Sequence, residues 1–292
     1  EKGLKNKMTV RQWKRVITGF VVLLIITLGA TAAYAEVRYQ RLATEFEGEA
    51  VEESADSEQN LSIDYQKKYD NLYVQNDFEY KEAQDSICYL TFDDGPSTEN
   101  TEKILDILKK YNIKATFFVI YKDTEKEKAM YKRIVEEGHT IGVHTASHDY
   151  EKIYSSVDAY LKDFNKIASH IEEITGEKPE IFRFPGGSVN SYNGAVYMQI
   201  VSEMMRRGYT YYDWNVGSGD ASYGTASKNW IVGNVVNGVA KEGSNIILMH
   251  DTNAKDTTVQ ALPEIIERLS AQGYRFDKLT KEVKPVTFSY LS

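Results

Sequence analysis

The chain is short of sulfur and short of positive charge, and each shortage narrows what it can be. Its single cysteine, Cys88, excludes disulfides within the chain. Cys88 stands inside an apolar run, where a thiol reads as a small buried hydrophobe. Lysine and arginine together number 35 against 43 acids, leaving a formal net charge of -8 and a pI near 5.3. A face that binds phosphates needs clustered Lys and Arg, so nucleic acid is excluded as a partner and anionic polymers are poor candidates. Histidine is scarce as well, five in 292 residues, so the place of each one matters.

Charge is missing altogether from one stretch near the start. Lys2, Lys5, Lys7, Arg11, Lys14 and Arg15 form a basic flank, 1–15, expected on the cytoplasmic side of a membrane. Val16 to Ala35 then run twenty residues without a charge. At about 1.5 Å per residue in a helix, that length crosses a hydrocarbon core of about 30 Å. The run ends in Ala33-Tyr34-Ala35, the A-x-A form of a signal-peptidase site, so a cleaved signal competes with a transmembrane anchor. Either way the rest is expected outside the cytoplasm, held at the membrane or, after cleavage behind Ala35, secreted. Residues 36–85 are poor in aliphatics and rich in acids, a composition that cannot bury enough apolar surface to fold alone. They read as an acidic stalk, partly packed on the downstream domain near "YDNLYVQNDFEY". Because the chain opens on Glu1, its true start is expected upstream.

From residue 86 the pattern becomes regular. Apolar or β-branched runs at Ile87–Phe92, Ala115–Ile120, Thr140–His144, Ile181–Phe184, Tyr209–Val216, Ile246–His250 and Tyr274–Phe276 alternate with stretches of helical period. Ile104, Leu105, Leu108 and Tyr111, for example, share one helical face opposite Lys103, Asp106, Lys109 and Lys110. Gly138, Gly176, Gly208, Gly243 and Gly273 each close a helical run just before a strand. Seven strands alternating with six helices predict an α/β fold with parallel strands; the count suits a barrel better than an open sheet, and a doubly wound sheet stays open as the alternative. In both, chemistry belongs at the carboxyl ends of the strands.

Those ends are where the polar residues collect. Asp93 and Asp94 follow the first strand, His144 and His148 the third, Arg183 and Pro185-Gly186-Gly187 the fourth; Asp220 lies past the fifth and His250-Asp251 end the sixth. His139 and His170 lie elsewhere and read as surface residues. Two adjacent ionised aspartates repel each other unless something positive sits between them. Histidines four apart face one way if the chain turns helically, and with a carboxylate they make a two-histidine, one-carboxylate cation site with open positions. One aspartate can then bind the cation while the other stays ionised beside it.

"TFDDG" at 91–95, "HTASH" at 144–148, "RFPGG" at 183–187 and "LMHD" at 248–251 resemble, in order and spacing, the motifs of the NodB-type polysaccharide deacetylases, carbohydrate esterase family four. The resemblance covers 86–279 and leaves 280–292 as a C-terminal tail. It implies a distorted (β/α)7 barrel. It further implies that Asp94, His144 and His148 bind a divalent metal, zinc first with cobalt, manganese or nickel as alternatives. Asp93 would be the general base, Arg183 its partner, His250 the general acid, and Asp220 the residue that orients and tunes His250. The Gly186 N–H would face the oxyanion and Leu248 would line the acetyl pocket. One motif departs from the family pattern D-x-x-D-W: here "GSGDA" puts Gly217 at the first aspartate and Ala221 at the tryptophan. Trp214 is a candidate to fill that wall, with a structural core role as the competing reading.

The expectation is therefore an extracytoplasmic, metal-dependent N-deacetylase acting on an N-acetylglucosamine polymer, peptidoglycan first and a chitin-like glycan second. The catalytic domain is expected to be monomeric and tied to the membrane through the N-terminal helix. Two alternatives stay beside it. One is a surface protein that keeps barrel and metal but only binds glycan; the other is a different metal-dependent amidase or esterase, including a deacetylase of chitooligosaccharide, xylan or exopolysaccharide. Asp93 and His250 discriminate, because hydrolysis needs both.

Overall fold

The strand β1, Ile87–Asp93, is buried from end to end, which is why its sequence is a nearly unbroken apolar run. Everything else is arranged around it in a computed structural model that describes residues 64–222 and 226–289. The basic flank, the apolar run 16–35 and the first part of the acidic stretch lie outside the described residues. Among the described residues no helix is long and apolar enough to cross a membrane.

After β1 the order is α1 (Asn100–Tyr111), β2 (Thr116–Ile120), α2 (Glu125–Glu136), β3 (Thr140–Thr145), α3 (Tyr150–Ile153), α4 (Val157–Thr175), β4 (Ile181–Phe182), α5 (Tyr197–Arg206), β5 (Thr210–Tyr211), β6 (Val216–Gly217), α6 (Lys228–Gly238), β7 (Ser244–His250), α7 (Asp256–Ala271) and β8 (Arg275–Asp277). Every strand pairing is parallel. The strands lie in the order β5-β4-β3-β2-β1-β7-β6, with β8 joined to the start of β1.

The distorted (β/α)7 barrel of the sequence reading takes the form, among the described residues, of a curled parallel half-barrel sheet of eight strands whose path ends at β5 and β6. The run Tyr209–Val216, read as one strand, is two short ones on opposite edges. The cause is Arg183, whose Nε donates to the Tyr212 carbonyl at 2.9 Å and whose Nη2 donates to the Asp213 carbonyl at 3.0 Å. Carbonyls that a ladder would use are taken by a guanidinium, so the strand stops there.

Side chains alternate across the sheet. Cys88, Leu90 and Phe92 of β1 join the large core under the helices, while Ile87 and Tyr89 face inward with Phe118, Ile181, Tyr212, Ile246 and Leu279. The inner row then turns polar: Thr91 and Asp93 continue it, buried. Burial raises the Cys88 thiol to about 12, so it is inert packing. His139 and His170, read as surface residues, are buried instead. His139 Nδ1 accepts the Ala115 N–H at 3.0 Å, and His170 Nε2 donates to the Lys122 carbonyl at 2.7 Å, so each ring closes a helix–strand junction.

Residues 64–85 run along this body. Leu72 is buried, and the fully buried Arg207 donates to the carbonyls of Tyr65, Lys68 and Tyr69 while pairing with Glu203 at 2.7 Å. Lys81 forms a bridge with Val283.

Candidate active site

The register of β1 against β7 sets the site. It pairs Asp93 with His250 and Thr91 with Leu248, two rows of the inner face. The Asp251 N–H donates to the Asp93 carbonyl at 3.2 Å, extending that pairing one residue. Asp93 is buried, and a buried carboxylate needs a partner. Arg183 supplies it: Nη1 lies 2.9 Å from Asp93 Oδ1 and also donates to Thr91 Oγ1 at 2.6 Å. The guanidinium is itself fully buried, with its carbon 4.3 Å from the Phe118 ring centre. A pair fixed at so many points holds one geometry.

Asp94 turns away from its neighbour because its φ is +72°, a left-handed conformation uncommon for a side chain that is not glycine. Its Oδ1 lies 3.6 Å from His144 Nε2 and 3.3 Å from His148 Nε2, and the three donor atoms fall within 4.8 Å of one another. His144 Nδ1 lies 2.8 Å from the Arg183 carbonyl and must donate to it, which leaves Nε2 as an unprotonated acceptor. Burial pushes the His144 ring below the ordinary histidine value, so it stays neutral. Asp94 Oδ1 is buried without a hydrogen-bond donor. Two imidazoles and a carboxylate whose donor atoms converge on one point fit a divalent cation. His148 also has a positive φ, +52°, and its N–H is held by Thr145 Oγ1 at 3.1 Å.

Across the inner face, His250 Nδ1 donates to Asp220 Oδ1 at 2.8 Å, and the His250 N–H donates to Asp220 Oδ2 at the same distance. Thr258 Oγ1 adds a third bond at 2.9 Å. Burial opposes charge on the ring, yet the Asp220 hydrogen bond and charge, with the charges of Asp93 and Asp94, outweigh it and raise His250 to about 9. Burial would also raise Asp220, but the bonds from His250 and Thr258 bring it below the ordinary value. The pair is therefore imidazolium and carboxylate at neutral pH.

Gly186, at φ +75°, stands exposed at the mouth. A Cβ there would press on the Tyr150 ring at 2.8 Å. Leu248 is half-buried one row below His250. Trp214 is half-buried, T-shaped on Phe288 at 4.9 Å, with its Nε1 4.0 Å from where a Gly217 side chain would start. The indole packs at the edge of the inner cluster, beside the departing motif. Gly217 and Ala221 are both exposed.

Three contributors have no role in the sequence reading, which names Asp251 by its position alone. Asp163 on α4 accepts the Ala146 N–H at 2.6 Å and the Ser147 N–H at 3.1 Å, fixing the turn between the histidines. Tyr150 packs edge-on against His148 at 5.2 Å. Asp251, fully buried, accepts from Thr101 Oγ1 at 2.5 Å, and its carboxylate fills the space that a side chain at Gly95 would need. Burial, opposed by the Thr101 bond and helped by Asp94 and Asp93, raises it to about 7. Asp251 is marked by its place next to His250; the other two come from elements that periodicity does not connect to the site.

Comparisons with known proteins bear on the same residues. The family model for polysaccharide deacetylase matches residues 80–207. A peptidoglycan-N-acetylglucosamine deacetylase of Bacillus cereus is 30% identical over 293 residues, covering 99% of this chain and 97% of its own. The crystal structure of the catalytic domain of a peptidoglycan N-acetylglucosamine deacetylase from Eubacterium rectale superposes with a TM-score of 0.69 at 38% identity, covering 73% of this chain and 97% of that one. A polysaccharide deacetylase structure from Bacillus cereus superposes with a TM-score of 0.62 at 30% identity, covering 70% and 97%. With the motifs standing together at one sheet mouth and one relative aligned along nearly the whole length, the chain belongs to the polysaccharide deacetylases, hydrolases of carbohydrate esterase family four.

Proposed function

We propose that this enzyme removes N-acetyl groups from N-acetylglucosamine residues of peptidoglycan, using a divalent cation, zinc first, held by Asp94, His144 and His148. The observation that carries the reading is the separation of roles across one strand pair: Asp93 locked to Arg183 on β1, and His250 locked to Asp220 on β7. A binding module needs neither pair.

A cation in that cluster supplies Lewis-acid polarisation of the acetyl carbonyl and a lowered pKa for the attacking water. Asp93, kept ionised and aligned by Arg183, accepts the water's proton as it attacks. The Gly186 N–H faces the oxygen on which negative charge develops. Leu248 lines the acetyl methyl's pocket, and the Trp214 indole stands where the departing motif leaves space. His250, an imidazolium at neutral pH, donates its Nε2 proton to the departing amine while Asp220 retains the other nitrogen. Acetate and a free amino sugar result.

Peptidoglycan is supported by the names of the relatives in Bacillus cereus and Eubacterium rectale. The uncharged run Val16–Ala35 supports a place at the outer face of a membrane, where wall polymer is the first glycan met. The test is acetate release by the purified chain from peptidoglycan and from acetylated chitooligosaccharide, with added zinc and with chelator. Release from peptidoglycan that chelator abolishes and zinc restores is expected. Release from neither substrate under any metal condition rules the reading out.

A further inference from the structure

Asp213 is fully buried at the point where the chain leaves β5, and its carboxylate accepts three hydrogen bonds. Oδ1 takes the Ser188 N–H at 2.7 Å; Oδ2 takes the Ser188 hydroxyl at 2.5 Å and the Phe288 N–H at 2.6 Å. The Asp213 N–H in turn donates to the Val286 carbonyl at 2.8 Å. So one residue joins the glycine loop to the C-terminal segment. The loop's other side is pinned as well: the Pro185 carbonyl accepts from the Tyr154 hydroxyl at 2.8 Å and the Asn190 amide at 3.2 Å. Gly186 lies between the two anchors. On its far side, Phe288 sits where a side chain at Gly187 would go, 2.8 Å from its Cβ position.

We propose that Asp213 is a positioning residue for the oxyanion loop Pro185–Ser188, with residues 286–288 as the second half of the same clamp. The proposal rests on the assignment of the Gly186 N–H to the developing oxyanion. A donor in such a loop is useful only if its direction is fixed before reaction, because misplacement by about 1 Å costs about 100-fold. Glycines at 186 and 187 give that loop no rigidity of their own, their φ values of +75° and +83° being freely accessible only to glycine. Rigidity has to be imposed from outside, and Asp213 is the buried acceptor that imposes it. Asparagine cannot substitute: whichever oxygen its NH2 replaces, it meets a backbone N–H, that of Ser188 or that of Phe288.

Asp213→Asn in the full chain is expected to lower kcat about 100-fold with KM nearly unchanged. Zinc affinity, measured by competition with a chromophoric chelator, should stay as in the wild type. Ser188→Ala, which removes one side-chain bond and keeps the backbone one, should cost at most about tenfold. A chain ending at Pro285 should reproduce the Asp213→Asn kinetics. Hydrogen exchange supplies a readout independent of turnover: amides of Gly186–Ser188 should exchange faster in Asp213→Asn while those of Thr140–His148 do not change. Unchanged exchange at Gly186–Ser188 overturns the proposal, and so does acceleration that extends through Thr140–His148, which marks general loosening. If the wild type releases no acetate, the functional reading fails, and the exchange comparison still decides the clamp.

Discussion

Asp93 and Asp94 are neighbours with different electrostatic surroundings, and substitution should separate them. Asp93→Asn keeps the shape and the contact to Arg183 but removes the proton acceptor. It should reduce acetate release at least about 1,000-fold with zinc still bound, checked by metal content beside the rate. Loss of zinc would instead mean that the two aspartates serve in the opposite order. His250 gives a second measurement. With its folded value near 9 against an ordinary 6.5, the charged His250, held by Asp220 with help from Asp93 and Asp94, contributes about 3 kcal/mol to the fold in the metal-free protein. Because the shift is upward, that stability is complete below about pH 6.5 and is lost as pH rises through about 9; Asp220's own downward shift is the same interaction and adds nothing. Asp220→Asn leaves burial opposed only by the charges of Asp93 and Asp94, so the imidazole should titrate well below 9 by NMR in chelated protein. Turnover at neutral pH should fall at least about 100-fold as the acid loses its proton.

At the scale of elements, the turn that follows β1 is the most constrained. A Cβ at Gly95 overlaps the Asp251 carboxylate, which Thr101 holds in place. Gly95→Ala should cost about 2 kcal/mol by urea denaturation and weaken zinc binding, since Asp94 shares the turn. Long buried strands and amphipathic helices were legible because one periodicity governs each: β1, β2, β3 and β7 appear where apolar runs predict them, and the glycine stops mark real strand starts. Motif order gave the polar residues at the strand ends, and these do meet at one mouth. What periodicity could not carry was any role played by a side chain on a backbone far away. Arg183 splits Tyr209–Val216 by taking its carbonyls, so a run that reads as one strand serves two sheet edges. His139 and His170 look solvent-facing in isolation because their partners are backbone groups from other elements. Asp163 belongs to a helix face that alone reads as solvated, yet it holds the turn between two histidines.

For the whole molecule, the stretch before β1 is part of the described body as far back as Asp64. Arg207 is the bolt: buried completely, it binds three carbonyls of residues 65–69. Arg207→Met should destabilise by about 3 kcal/mol, because Glu203 keeps its charge in a buried site with only Arg206 left to pair it. A chain that starts at Ser86 should melt several degrees lower than one that starts at Ser62; equal midpoints for the two would show that these contacts contribute nothing.

β1 is also the strand to which the latest strands return: β7 covers its full length and β8 its first three residues. During synthesis, then, Asp93 emerges long before His250, and the two cannot meet until almost the whole chain has left the ribosome. Until that moment β1 is a bare apolar strand with one side unpaired, open to pairing with other chains. Folding should be slow for the domain's size, because its central pairing is also among its most distant in sequence. Catalytic competence should arrive with the final closure of the sheet, not before it.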